Sequence, residues 1–197
     1  MKQIYWTRSI ENWNQDQGVF GKHLSKVTHI PCIKIHPTNS KLEGEFDTAI
    51  ITSVNSLKYA GDNLISAIKN CETVYSHGEK TSKALKALGV VPKEFEIRTA
   101  QELFLKLMDI ADFSSKYLYP SSKTPAFDMV EAMSTVGFNI TSHIVYDILS
   151  KATSAAGEKL TESDKMNLAA DGVYCFASPS AVRGFVDAFE PLVERKQ

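Results

Sequence analysis

The chain lacks most of the features that announce a function. Cysteine is scarce: Cys32, Cys71 and Cys175 are far apart, odd in number and set in apolar runs. They read as reduced core thiols, which points to a cytoplasmic protein without a disulfide frame or thiolate metal site. No stretch approaches the roughly 20 apolar residues of a membrane helix. The opening MKQIYWTRSIENW has neither the apolar core nor the cleavage site of a secretory signal. No charge dominates, with 22 basic residues against 23 acidic ones and a net charge of −1. The short basic patches at 80–86 and 195–196 read as solvated helix faces, so a nucleic-acid partner is not expected. An anionic ligand must then be held by dipoles and a few local charges.

Catalytic signatures are equally missing. There is no GxGxxG, no GxxxxGK[ST] and no GxSxG. His23, His29, His36, His77 and His143 show no HExxH or Cys/His spacing, so neither a metal nor a cofactor is expected. Asp47, Asp147 and Asp171 flank strands as turn or cap residues would. A site with no metal, thiolate or carboxylate pair has to work mainly by holding its substrate.

What the chain does have is alternation. Short apolar runs at 3–6, 32–36, 48–52, 73–75, 95–98, 116–119, 139–148 and 173–176 alternate with amphipathic stretches at 13–26, 56–70, 80–88, 100–111, 125–135 and 179–190. That is the signature of strand–helix–strand units on a parallel sheet. The segment GVYCFASPSAVRGFVDAF from Gly172 aligns with DTAIITSVNSLKYAGDNL from Asp47, matching Ser53 to Ser178 and Leu64 to Phe189. Either every strand–turn–helix unit looks like this, or the two copies mark two related lobes. Residues 36–46 and 150–170 are the places where a chain could cross between lobes. Thr161–Glu162–Ser163–Asp164 in the second fits a capping box.

Ligands of open parallel sheets bind beyond the carboxyl ends of the strands, where helix N-termini offer free N–H groups. Four such turns carry small or hydroxyl residues: Thr7–Arg8–Ser9, Thr52–Ser53, Ser76–His77–Gly78 with Thr81, and Ala177–Ser178–Pro179–Ser180. Each reads equally as a simple helix cap; four at strand exits together point to a cleft lined with anion-accepting backbone. Tyr146, in NITSHIVYDIL, stands at or just past the exit of an edge strand. It reads either as a packed aromatic or as a group facing that cleft.

Taken together, WTRSIENWNQDQ, HIPCIKIHP, DTAIITSVNSLKYAGDNL, VYSHGEKTSKALKALGV, the run from Val136 to Tyr146 and GVYCFASPSAVRGF resemble, in order, the elements of the uroporphyrinogen-III synthase family. The resemblance implies two flavodoxin-like α/β lobes, each a doubly wound parallel sheet, joined by two connectors. Residues 1–38 and 150–197 would form an outer lobe and residues 39–149 a five-strand inner lobe. It also implies a cofactor-free hydro-lyase, in which hydroxymethylbilane loses water and closes to uroporphyrinogen III with its last ring inverted. Tyr146 matches the tyrosine that assists loss of hydroxide. Thr7, Arg8, Thr52, Ser53, Gly78, Thr81, Ser178 and Ser180 match positions that bind the substrate.

The chain also departs from the pattern. Ser122 and Lys123 replace a glycine and an arginine, and His77 replaces an apolar or small residue. The family continues with further strands where this sequence reads FEPLVERKQ, so the outer lobe is expected to be truncated. An alternative is therefore a catalytically inactive tetrapyrrole-binding or interaction protein of the same descent. Residues 173–176 would then be an open sheet edge, covered either by dimerisation through the outer lobe or by residues 150–170 folding back.

Overall fold

Most apolar runs of the sequence are short, as are most of the strands they form, Asn139–Ser150 being the exception. A computed structural model describes residues 2–168 and 172–193. Its elements in chain order are β1 (Gln3–Trp6), α1 (Ile10–Phe20), β2 (Val27–His29), β3 (Ile33–Pro37), β4 (Thr48–Ile51), α2 (Val54–Lys58) and α3 (Asp62–Asn70). They continue with β5 (Thr73–Ser76), α4 (Glu79–Ala87), β6 (Lys93–Glu94), α5 (Ala100–Ile110), β7 (Lys116–Ser122), α6 (Met129–Thr135), β8 (Asn139–Ser150), α7 (Glu162–Leu168), β9 (Gly172–Cys175) and α8 (Pro179–Val193). The fold is mixed α/β with parallel sheets, and the chain forms two compact units, Met1–His36 with Ile148–Gln197 and Pro37–Asp147.

In the first unit three parallel strands lie in the order β2-β1-β9, so β9 is an edge among the described residues. The core gathers Tyr5, Ile30, Cys32, Ala152, Leu160, Ala181 and Phe189, with Leu168 and Phe185 packed against it. Burial pushes the Cys32 thiol up to about 12, consistent with an inert core residue. Segment 150–168 is built into this core. Thr153 bridges Lys159, and α7 opens on a reciprocal cap in which the Asp164 N–H donates to Thr161 Oγ1 and the Thr161 N–H to Asp164 Oδ2. Residues 169 and 170, the rest of the segment expected to cover the edge, lie outside the described residues.

In the second unit β8-β7-β4-β5-β6 run parallel throughout. Counted within the unit this is the 3-2-1-4-5 order of a doubly wound sheet, with its topological switch between β4 and β7. Side chains of a strand alternate between faces. Ile50, Tyr75, Tyr117 and Tyr119 point to one face, where Leu103 and Leu107 of α5 and Met129 and Met133 of α6 complete a core. Their neighbours Ala49, Ile51, Val74 and Leu118 point the other way, and they too are buried. Burying three Leu/Ile-sized side chains of this kind stabilises by roughly 5–9 kcal/mol before entropy is counted.

Several expectations needed correction. The neighbour of β1 is Val27–His29, not 32–36, because Pro31 divides one long β-prone run into two strands. The second strand, β3, instead lies beside β8, so β8 is not an edge. The Lys151 N–H donates to the Cys32 carbonyl and the Thr38 N–H to the Val145 carbonyl, a pairing that only antiparallel strands satisfy. The stretch 13–26 breaks at Gly21, whose φ of +49° ends α1 and starts a 3-10 segment, Gly21–Lys26. The stretch 56–70 is two helices separated before Gly61. Residues 95–98 form no strand: Lys93–Glu94 pairs with β5, and Phe95 and Ile97 pack as isolated side chains.

Candidate functional site

The carboxyl ends of β4 and β7 diverge at the switch point, and a pocket of about 500 Å³ opens there, wholly within the second unit. Thr52, Ser53 and Ser56 line it from the turn after β4, and Tyr119, Ser121 and Ser122 from the end of β7. His77, Gln101, Phe127 and Tyr146 complete its wall. No lysine, arginine, aspartate or glutamate is among the lining residues. The pocket therefore works through hydroxyls and aromatic faces, not through net charge.

Local structure fixes each hydroxyl. Ser53 is extended (φ −146°, ψ 135°) and its Oγ accepts from the Asn55 N–H at 3.2 Å, so the side chain turns toward the strand end. Ser56 Oγ donates to the Pro120 carbonyl at 2.9 Å, tying α2 to β7. The Thr52 and Tyr119 hydroxyls lie 3.1 Å apart. Burial, partly offset by the Thr52 hydrogen bond, pushes the Tyr119 phenol above its ordinary value, so it stays a neutral donor.

Tyr146 sits inside β8, not past its exit. A bulge between Ser121 and Ser122 shifts the ladder so that Ser122 pairs with Tyr146, and bulges of this kind re-aim side chains. The ring packs on Tyr59 at 5.8 Å, and the hydroxyl lies 3.5 Å from Ser53 Oγ. That contact is at the outer limit of a hydrogen bond, and Tyr146 is 5% exposed.

The remaining sequence candidates fall elsewhere. Gly78 starts α4 at φ +82°, a conformation that suits glycine, but Gly78 and Thr81 do not line the pocket, and the Thr81 side chain is buried. In the first unit Thr7 is fully buried, its Oγ1 and N–H both donating to the Cys175 carbonyl. Its hydroxyl is spent on joining the turns after β1 and β9. Arg8 is held by Asp16 at 2.6 Å, and Asp16 also accepts from Trp6 Nε1 at 2.8 Å. Ser178 Oγ caps α8 through the Ala181 N–H, and Ser180 Oγ accepts from Arg183 Nη2 at 3.0 Å. Within the second unit the structure thus brings Thr52, Ser53 and Tyr146 into one pocket and leaves Gly78 and Thr81 outside it.

Sequence reasoning missed Tyr119, Ser56, Ser121 and Gln101. Tyr119 carried a usable signal, since it ends an apolar run read as a strand, the position from which ligand-binding residues are drawn. Among the described residues no three His, Cys, Asp or Glu side chains converge as a metal centre requires, and no helix is long and apolar enough to cross a membrane.

No curated protein sequence matches the chain at a significant level. Solved structures do match its fold. Uroporphyrinogen-III synthetase from Helicobacter pylori aligns with a TM-score of 0.59 at 17% identity, covering 96% of this chain and 79% of that one. A mutant uroporphyrinogen III synthase from Thermus thermophilus aligns with a TM-score of 0.53 at 10% identity, covering 99% of this chain and 100% of that one. At such identities the likeness speaks for the fold alone. The sequence itself carries more, because the family model for uroporphyrinogen-III synthase HemD matches residues 17–196. A match over nearly the whole chain, on a fold shared with solved synthases, makes this protein a member of the uroporphyrinogen-III synthase family.

Proposed function

We propose that the chain catalyses the dehydrating cyclisation of hydroxymethylbilane to uroporphyrinogen III, with inversion of the last ring. The observation that carries this reading is the neutral, hydroxyl-lined pocket at the switch point, with Tyr146 in its wall, in a chain of this family. The reaction needs the hydroxymethyl C–O bond to break, with the pyrrole nitrogen supplying the electron pair. Tyr146 transfers its phenolic proton to the departing hydroxyl, which leaves as water, and the phenolate takes a proton back from the N–H of the pyrrole cation so formed. A phenol is protonated at neutral pH, so this donor is present without any activating group.

The rest of catalysis is positioning. The unaided chain closes without inversion, so the enzyme must hold the polycarboxylate in the geometry that leads through a spiro intermediate. Thr52 and Ser53 contact the substrate beside Tyr146. Arg8, the Gly78 turn, Ser178 and Ser180 serve its carboxylates, while Thr7 and Thr81 maintain the turns that present them. The charge-free pocket suits the reacting end, since carboxylates buried there would meet no cation.

The test is cyclisation of hydroxymethylbilane with the product isomers resolved. Excess isomer III supports the proposal. Isomer I alone, together with binding of the substrate, would instead identify a catalytically inactive tetrapyrrole-binding relative.

A further inference from the structure

The pocket contains a second phenol, and its geometry gives it a task distinct from that of Tyr146. Tyr119 is 3% exposed and belongs to the core formed with α5 and α6, while Thr52 is half-buried at the pocket wall. Their hydroxyls are 3.1 Å apart, and either could donate. Two hydroxyls that share one hydrogen bond always keep one proton over. Acidity decides which: a phenol is the stronger acid and the better donor, and an alcohol oxygen is the better acceptor. Tyr119 then donates to Thr52 Oγ1, and the Thr52 proton is the one left to face the pocket. A hydroxyl that accepts a hydrogen bond is polarised into a better donor.

We infer that Tyr119 is a positioning residue, whose buried hydroxyl fixes and polarises the Thr52 hydroxyl so that Thr52 presents one directed donor to the substrate. The inference rests on the proposed function only in naming that substrate; the pairing itself is independent of turnover. Ser53, next in sequence, has its Oγ engaged by the Asn55 N–H.

A double-mutant cycle tests the inference. Tyr119→Phe keeps the ring that packs in the core and removes only the hydroxyl; Thr52→Val removes its partner. Two readouts are needed: cyclisation kinetics with the isomer ratio, and equilibrium binding of uroporphyrin III as an octacarboxylate probe. Each single variant should weaken probe binding or lower kcat/KM about tenfold, as loss of one oriented hydrogen bond does. The double variant should be no worse than the worse single one, and Tyr119→Phe should raise the proportion of isomer I. Additive losses, or a Tyr119→Phe protein that binds and turns over like the wild type, would overturn it. If the wild type binds the probe without forming isomer III, the proposed function fails and the binding cycle alone decides the role of Tyr119. A wild type that neither binds the probe nor forms isomer III overturns both.

Discussion

Asp16 is clamped from two sides: Trp6 Nε1 donates to one carboxylate oxygen at 2.8 Å and Arg8 Nη1 to the other at 2.6 Å. The three residues tie the end of β1 to the middle of α1, where Asp16 is the one buried residue. Asp16→Ala leaves the indole N–H without its acceptor and releases Arg8, whose side chain is one-third exposed. Hydrogen bonds to charged groups contribute about 1.5–3 kcal/mol each, and exposure of Arg8 reduces its share. The variant should lose about 2 kcal/mol, read from urea unfolding; Asp16→Asn, which still accepts from Trp6, should lose less. Equal stability of Asp16→Ala and wild type would show that the clamp contributes nothing.

Tyr146→Phe keeps the ring contact with Tyr59 and deletes the hydroxyl near Ser53. General-acid assistance is worth about 10²-fold, so cyclisation should slow by that order with little change in thermal stability. An unchanged rate would remove Tyr146 from the mechanism.

Gly184 lies inside α8, where helix propensity alone favours Gly→Ala by about 1 kcal/mol. Packing reverses the sign. A Cβ at this position would stand 2.0 Å from the Cys32 carbonyl oxygen and 2.7 Å from the Lys151 nitrogen, both backbone atoms that pair with each other. Gly184→Ala should therefore destabilise by about 3 kcal/mol, seen as a lower urea midpoint. A stabilised variant would mean that α8 lies farther from these strands.

His29 in the first unit and His143 in the second are both held below the ordinary imidazole value of 6.5, chiefly by burial. For His29 the Arg8 carbonyl and Asp16 pull in the opposite direction without winning. With the folded-state pKa depressed, the unfolded chain binds protons first as pH falls. Stability is then fully present above about 6.5 and declines as pH falls below it toward the folded values. Urea midpoints should drop across that window, and His143→Gln should flatten part of the decline. A midpoint that is flat until carboxylates titrate would count against both histidines.

The sequence by itself determined the local grammar of this protein. Apolar runs between amphipathic stretches marked most of the strands and helices, residues 95–98 being the exception, and the hydroxyl turns at strand exits were readable because caps and ligand turns use the same residues. The Thr161–Asp164 cap and the order of family elements were legible for the same reason: they depend on neighbours in the chain. Tertiary structure decided the rest. Strand order placed the switch point between β4 and β7, and that pairing of segments nearly 70 residues apart selected Thr52 and Ser53 while excluding Thr81 and Gly78. The bulge at Ser121–Ser122 set the register that aims Tyr146, and only the approach of β7 to β4 put the Tyr119 hydroxyl against Thr52. Such choices rest on which faces bury together, an energy shared across the whole sheet and carried by no single segment.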